Sequence, residues 1–582
     1  MKTTYKIALL IAFAGIQQAV AQKKDENIGT EVVNVVKPYT PTISDAFKVK
    51  ETPVIEEEQD TKKEEIKYNI FSYPVASTFS PAKGKAATVD KEAREKYFAN
   101  YATLGLGNYG TVNAEVFVTH NLDDTQYVGA LLKHLSSQGG IKDVKLDDFY
   151  STTGLDLTYG NRQKEYTWST DLGYQRQAYN WYGMDYPSFD ESVLAGIDEK
   201  QTYNTLYVGG KFSTRDSFFH EVEAQYKRFW DGFDSAENRF FITPSFDVDI
   251  SDTKVKVGVV ADYVGGDFNR NYFTTDALSY SNFNLGIQPS IVFQGKEASV
   301  QFGAGLFYSM GKQNNNSDNK LYIYPQIKAS YKLVADLMVA YAGAEGTLKQ
   351  NSYADFVSQN PFVSPTLGVT PTSQQYDIYV GLKGKLASAV SYNLRGSYMA
   401  EDDKAFFAAN NMEGIATDAT ERQGYQYGNS FGTVYDNLKT ISFFGELKAD
   451  FSNTVRFGIN GTYFNYSTDQ SEAWNLPSIK VGANLDVDIT EKWFAGTNIF
   501  FTGDRKDRIF TVNPVDQAFY DQQIVTLKSY FDVNANVGYH YNERLTAFAK
   551  FNNITGQNYQ KWLYYPVQGF QFMLGATYKF NF

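Results

Sequence analysis

The chain has 582 residues, no cysteine and a formal net charge of −12 at neutral pH. That composition excludes disulfides, thiolate metal sites and cysteine nucleophiles, and it argues against nucleic acid as a partner. Hydrophobic residues make up 43% of the chain, yet mean hydropathy is negative and no stretch approaches the ~18 consecutive apolar residues of a spanning helix. Tyr (44), Phe (44) and Gly (45) are all abundant, the usage of strands that carry aromatic girdles and pack closely.

The first residues read as an export signal. Lys2 and Lys6 supply the positive start, Ile7 to Ile16 the short apolar core, and Ala19-Val20-Ala21 the cleavage site, giving a signal peptide over 1–21. Residues 22–96 differ from everything after them. Charges are dense (Glu56-Glu57-Glu58, Lys62-Lys63, Glu64-Glu65), and Pro38, Pro41, Pro53, Pro74 and Pro81 interrupt regular elements. This composition predicts a largely irregular periplasmic arm. Two pieces within it are stickier: the extended apolar run Glu31-Val32-Val33-Asn34-Val35-Val36, and the aromatic segment Tyr68 to Val75.

From about Tyr97 strand-like runs alternate with two kinds of connection. Short polar turns centre near 122, 162, 214, 252, 296, 334, 386, 453, 490 and 543. Long connections cover about 136–147, 178–200, 265–277, 349–372, 402–436 and 503–523. Short turns on one rim and long loops on the other are the pattern of a transmembrane barrel. Individual strands are two-sided. Val255, Val257, Val259, Ala261 and Tyr263 alternate with Lys256, Gly258, Val260 and Asp262, and Phe531 to Tyr539 repeats the pattern. A Lys or Arg on the lipid face costs roughly 2–4 kcal/mol at mid-depth, so one charge-free face per strand is informative. A soluble sandwich also alternates, but it needs neither the two unequal rims nor so long a series of strands.

The last strand is the clearest. Between Gly569 and the terminus, Phe570, Phe572, Leu574, Ala576, Tyr578, Phe580 and Phe582 share one face, while Gln571, Met573, Gly575, Thr577, Lys579 and Asn581 share the other. A first strand near 98–107, ten turn-joined pairs and this closing strand total about 22. The expected fold is therefore all-β: a transmembrane antiparallel barrel over 97–582, its last strand paired with its first. Phe572, Leu574, Tyr578, Phe580 and Phe582 are the expected barrel-assembly signal. A lumen of that width is too wide for its own side chains to fill, so it is either plugged or a large pore.

Residues 526–582 resemble the C-terminal end of TonB-dependent outer-membrane receptors. The matching pieces are Tyr530-Phe531-Asp532-Val533-Asn534, the run Lys550 to Tyr559 (KFNNITGQNY), Trp562, Tyr565-Pro566 and the Phe-ending strand. The resemblance implies a barrel near 22 strands in the outer membrane of a Gram-negative bacterium, energy coupling to TonB, and solute uptake. The departure lies at the start of the chain. Such receptors carry a globular plug between a coupling box and the barrel, and residues 22–96 contain no recognisable plug. Glu31, Val32, Val33, Asn34, Val35 and Val36 resemble the short extended box that pairs with TonB, although an unspecific docking segment reads the same way.

No catalytic constellation, cofactor motif or metal set stands out, and neither an enzyme nor a cofactor is expected. His120, His134, His220 and His540 are scattered, and Gly84-Lys85 lacks the rest of a phosphate loop. Asp402-Asp403 reads as a solvated loop pair, and Asn314 to Asn319 as a flexible loop tip with the wrong spacing for calcium. The candidate ligand contacts are Tyr179, Trp181, Tyr182 and Tyr186, joined by Met184. Phe406, Phe407, Tyr425, Tyr427 and Phe431 form a second set. Two readings stay open for both sets: exposed contacts for sugars, flat ligands or a protein, or the upper aromatic girdle of the barrel. Expected partners are outer-membrane lipid, the barrel-assembly machinery during biogenesis, and TonB or another periplasmic or outer-membrane protein through residues 22–96. Three functions fit: solute transport across the outer membrane, a non-transporting subunit of a protein assembly or secretion complex, and, third in order, a passive porin or fatty-acid-type channel.

Overall fold

A computed structural model describes residues 97–582 apart from 216, 251–252, 336, 413–421, 453 and 513–519. The signal, the 22–96 arm and the box-like run at 31–36 lie outside the described residues.

The alternation along each segment does what it predicts. Twenty-two antiparallel strands form one sheet that closes on itself. The first strand, Asn100–Gly107, pairs on one side with Val112–Asn121 and on the other with the last, Gln571–Phe580. The seam register runs from Asn100 opposite Phe580 to Gly107 opposite Met573. Closure pairs the strand backbones all round, as a bilayer interior requires.

All ten expected turns are present, each between consecutive strands. Their chemistry is local. Asp123 Oδ1 accepts from the Thr125 and Gln126 amides at 2.7 Å each, and Asn542 Oδ1 accepts from Arg544 and Leu545 at 2.9 and 2.8 Å. A short side chain that caps its own turn allows a four-residue reversal.

The outward face is apolar and open to lipid. In the closing strand Leu574 is 60% exposed and Phe572 and Tyr578 just over 40%, whereas Met573 and Thr577 on the lumen face are buried. Lower on the lumen face the polar residues pair with one another: Arg395 with Asp377 at 2.5 Å and Lys328 with Glu345 at 2.7 Å.

Wall height varies around the barrel. The first strand has 8 residues, while the fifteenth and sixteenth, Val390–Ala409 and Phe431–Ser452, have 20 and 22. At ~3.3 Å per residue and a tilt near 45°, 22 residues rise about 50 Å, well past a ~30 Å hydrocarbon core. The tall wall therefore stands clear of the membrane on the external side.

Three expectations need correction here. The 402–436 connection is shorter than expected: 402–409 and 431–436 belong to the flanking strands, which leaves 410–430 outside them. Phe406 and Ala408 face Trp474 and Leu438, while Phe407 and Ala409 face a separate apolar cluster. Both faces are covered, so the period-two signal is lost and the segment reads as an aromatic loop. The 503–523 connection holds its own two-stranded hairpin, Arg505–Val512 with Tyr520–Leu527, outside the barrel sheet. Asn314 to Asn319 is not a loop tip but a tight reversal. Asn314 adopts φ +50°, and Asn316 already opens the twelfth strand opposite Gln313.

Candidate functional site: the external mouth

The long connections gather over the external mouth into one apolar cluster. It contains Trp181 and Tyr182, Tyr353 and Phe356, Tyr425 and Phe431, and Leu563 and Tyr565, together with lumen-facing Tyr203, Phe229, Val264, Phe268 and Tyr280 from the upper wall. The lumen face is thus polar below and apolar at the rim.

One plank of this cap is fastened to the wall. Residues Tyr353–Gln359 form a short helix because Ser352 caps it, its Oγ accepting from the Asp355 amide at 3.1 Å. Two further N-terminal amides find a wall carboxylate. Glu237 Oε2 accepts from the Tyr353 amide at 2.6 Å, Glu237 Oε1 from the Ala354 amide at 3.1 Å, and the Tyr280 hydroxyl also donates to Oε2 at 2.5 Å. An anion against a helix N-terminus meets donors that otherwise lack partners. Around it, the Tyr353 hydroxyl donates to Asp231 at 2.8 Å, and Arg239 bridges Asp262 and Asp355 at 2.7 and 2.8 Å.

The other planks hold one another across the mouth. Loop 181–199 joins the fifth and sixth strands, and loop 410–430 joins the fifteenth and sixteenth, ten strands away on a ring of twenty-two. They meet where Asn429 Nδ2 donates to the Trp181 carbonyl at 2.9 Å and where the Trp181 and Tyr425 rings lie 5.3 Å apart. Loop 553–570, beside the seam, inserts Tyr565 between them. Its hydroxyl donates to the Asn429 carbonyl at 2.5 Å, and its ring stacks on Phe362 at 3.7 Å and meets Tyr182 at 4.9 Å. Gln568 Nε2 ties the same loop to Ser137 Oγ at 2.7 Å.

The external hairpin is held by a buried acid. Asp507 is fully buried, accepting from the Ala409 and Arg508 amides at 3.0 and 2.8 Å and from Asn475 Nδ2 at 2.8 Å. Burial pushes its carboxyl up to about 6, against those hydrogen bonds and the nearby Arg508 guanidinium. Arg505 donates to the carbonyls of Gln560 (2.6 Å) and Lys561, closing the ring of contacts.

The sequence-derived contacts are therefore placed differently from either expectation. Trp181 is 1% exposed and Tyr182 and Met184 are buried, while Tyr179 and Tyr186 are half-buried. Phe406, Phe407, Tyr425 and Phe431 are buried and Tyr427 half-buried. They are neither free external contacts nor a lipid-facing girdle but the packing of the cap. Phe572, Leu574 and Tyr578 face lipid, and Phe582 meets His120 edge-on at 6.5 Å. His540 sits on the lumen face against Thr546 Oγ1 at 2.9 Å, and among the described residues no group of three His, Asp or Glu could hold a metal. Glu237, Asp231, Tyr353, Asp507 and Tyr565 carry most of the polar contacts just described, and sequence reasoning passed over them. Apart from the Tyr565-Pro566 resemblance no local signal marks them, because each partner lies far away in the chain.

No protein-family model matches this chain, and no curated protein matches it in sequence. Solved structures do match its fold. The ferripyoverdine receptor of the outer membrane of Pseudomonas aeruginosa superposes with TM-score 0.61 at 14% identity, over 84% of this chain and 72% of that one. The FrpB iron transporter from Neisseria meningitidis gives 0.61 at 9%, over 84% and 82%. The ferric-catecholate import receptor Fiu from E. coli K12 gives 0.60 at 9%, over 83% and 81%. At such identities the likeness is one of fold. It matches the resemblance carried by residues 526–582: this chain is an outer-membrane β-barrel built like the barrels of TonB-dependent receptors.

Proposed function

We propose that the chain transports a solute across the outer membrane, with residues 1–21 removed on export, 22–96 acting as a periplasmic arm and 97–582 as the barrel. The observation that carries this is the closed 22-strand wall, shared with receptors and transporters of iron compounds and enclosing an ion-paired, polar lower lumen. Residues Glu31 to Val36 are the proposed contact with TonB, joining it by strand addition. The chemistry is binding and passage rather than catalysis.

Uptake of labelled ferric chelates by cells expressing the full chain tests this, against cells lacking it and cells carrying Val33→Pro. Uptake that needs the chain and falls with Val33→Pro, with the barrel still inserted, is the expected result. Equal uptake in all three removes this substrate class from the reading.

The cross-mouth core favours a second reading, a non-transporting subunit of an outer-membrane protein assembly or secretion complex, because a barrel shut from outside can serve as a scaffold. A stoichiometric complex recovered from native membranes, and lost on deleting residues 22–96, supports it. Recovery of the barrel alone counts against it.

A further inference from the structure

We infer that the permeability barrier of this protein lies in the external cap and is built by residues 97–582 themselves. The lumen of a 22-strand barrel is too wide for wall side chains to close, so a barrier must come from elsewhere. The described residues supply one. Loops from nearly opposite walls meet over the mouth and share one buried aromatic core.

Two glycines mark how tightly these loops cross. A Cβ placed on Gly183, in the loop between the fifth and sixth strands, would overlap the Tyr565 ring from the loop beside the seam. A Cβ placed on Gly424, from the tall wall, would overlap the Asp198 carbonyl of the loop opposite. Neither glycine adopts the left-handed backbone region. Their need for a bare Cα is therefore one of contact between loops, not of turn geometry. The atoms that meet at the two crossings are an aromatic ring and a backbone carbonyl. Such a core, once formed, stays dry. The inference does not rest on the transport reading, because a scaffold barrel must be sealed as well.

Single-barrel conductance of the full-length protein in planar bilayers, in potassium chloride, tests it. The wild-type chain is expected to hold no steady open state. The double variant Gly183→Leu/Gly424→Leu wedges both crossings, and its conductance is expected to rise at least about tenfold, since the lumen beneath is wide. Heat-modifiable mobility on gels reports whether the barrel itself is folded. Should that variant fail to fold, Tyr565→Ser/Asn429→Ala, which removes cross-mouth contacts without adding atoms, carries the same expectation. A folded variant that stays as closed as wild type overturns the inference, and so does a wild-type chain that conducts steadily. Because conductance is read without any ferric chelate, an absence of uptake leaves this result untouched.

Discussion

The wall and the mouth of this barrel are stabilised in opposite ways. In the wall each strand contacts its neighbours in sequence, its apolar side chains point outward into lipid, and its polar ones pair within the lumen. In the mouth the contacts join residues hundreds of positions apart, such as Trp181 with Asn429 and Ser137 with Gln568, and the apolar side chains point inward to one another. The wall draws on hydrogen-bond closure and a lipid solvent. The mouth is a small water-soluble core standing above the membrane, held as soluble proteins are. The two should therefore fail independently.

The largest separation is expected from Tyr565→Ala. Deleting a fully buried aromatic ring costs about 3–5 kcal/mol, and here the loss falls on the cap. Amide exchange across 181–199 and 410–430 should accelerate while the barrel keeps its heat-resistant gel mobility. Equal loss of both would show that wall and mouth are one cooperative unit.

Glu237→Ala attacks the fastened plank. It leaves the Tyr353 and Ala354 amides and the Tyr280 hydroxyl without their acceptor, at about 1–3 kcal/mol for each buried group left unsatisfied. Exchange in 350–371 should rise before that in 181–199, because only the former docks on Glu237. The converse variant, Leu574→Lys, places a charge on the lipid face and should cost roughly 2–4 kcal/mol of wall stability, read as a lower unfolding midpoint in detergent or lipid, with the cap's exchange pattern preserved.

The hairpin at Asp507 gives the comparison a pH axis. Its folded carboxyl titrates near 6, above the ordinary 3.8, so the folded state binds the proton more tightly than the unfolded chain does. Stability from this group is therefore full below about 4 and declines as pH rises through about 6, a bias of about 3 kcal/mol at most. Protection of 505–512 and of Ala409 should be greater at pH 5 than at pH 8. Asp507→Asn should flatten that difference, and the wall should show no matching trend. The smallest effect is expected at the periplasmic rim. Asp123→Ala removes four turn hydrogen bonds, two of them from backbone amides, at an exposed site and should lower the unfolding midpoint only slightly without touching the cap.

Legibility follows the same division. The ten turns, the pairing of first and last strands and the outward face were readable because each depends on neighbours in sequence or on a period of two. The tall wall was missed where Phe406 to Ala409 is apolar on both faces. The external hairpin was missed because its strands resemble the loop around them. Trp181 and Tyr182 read as loop contacts or girdle residues and are buried instead, since an aromatic destined for a lipid interface and one destined for a buried core have the same composition.

By itself, then, the amino-acid sequence determined the barrel, its strand number and its membrane, because alternation under a lipid solvent leaves one closed solution. Only the tertiary structure decided that the loops pack on one another over the mouth. That packing depends on which loops reach one another across a ring of twenty-two strands, on a wall carboxylate meeting a helix end, and on two bare glycines at the crossings. Contacts of that range leave no period in the chain and arise only once the barrel has brought opposite walls within reach.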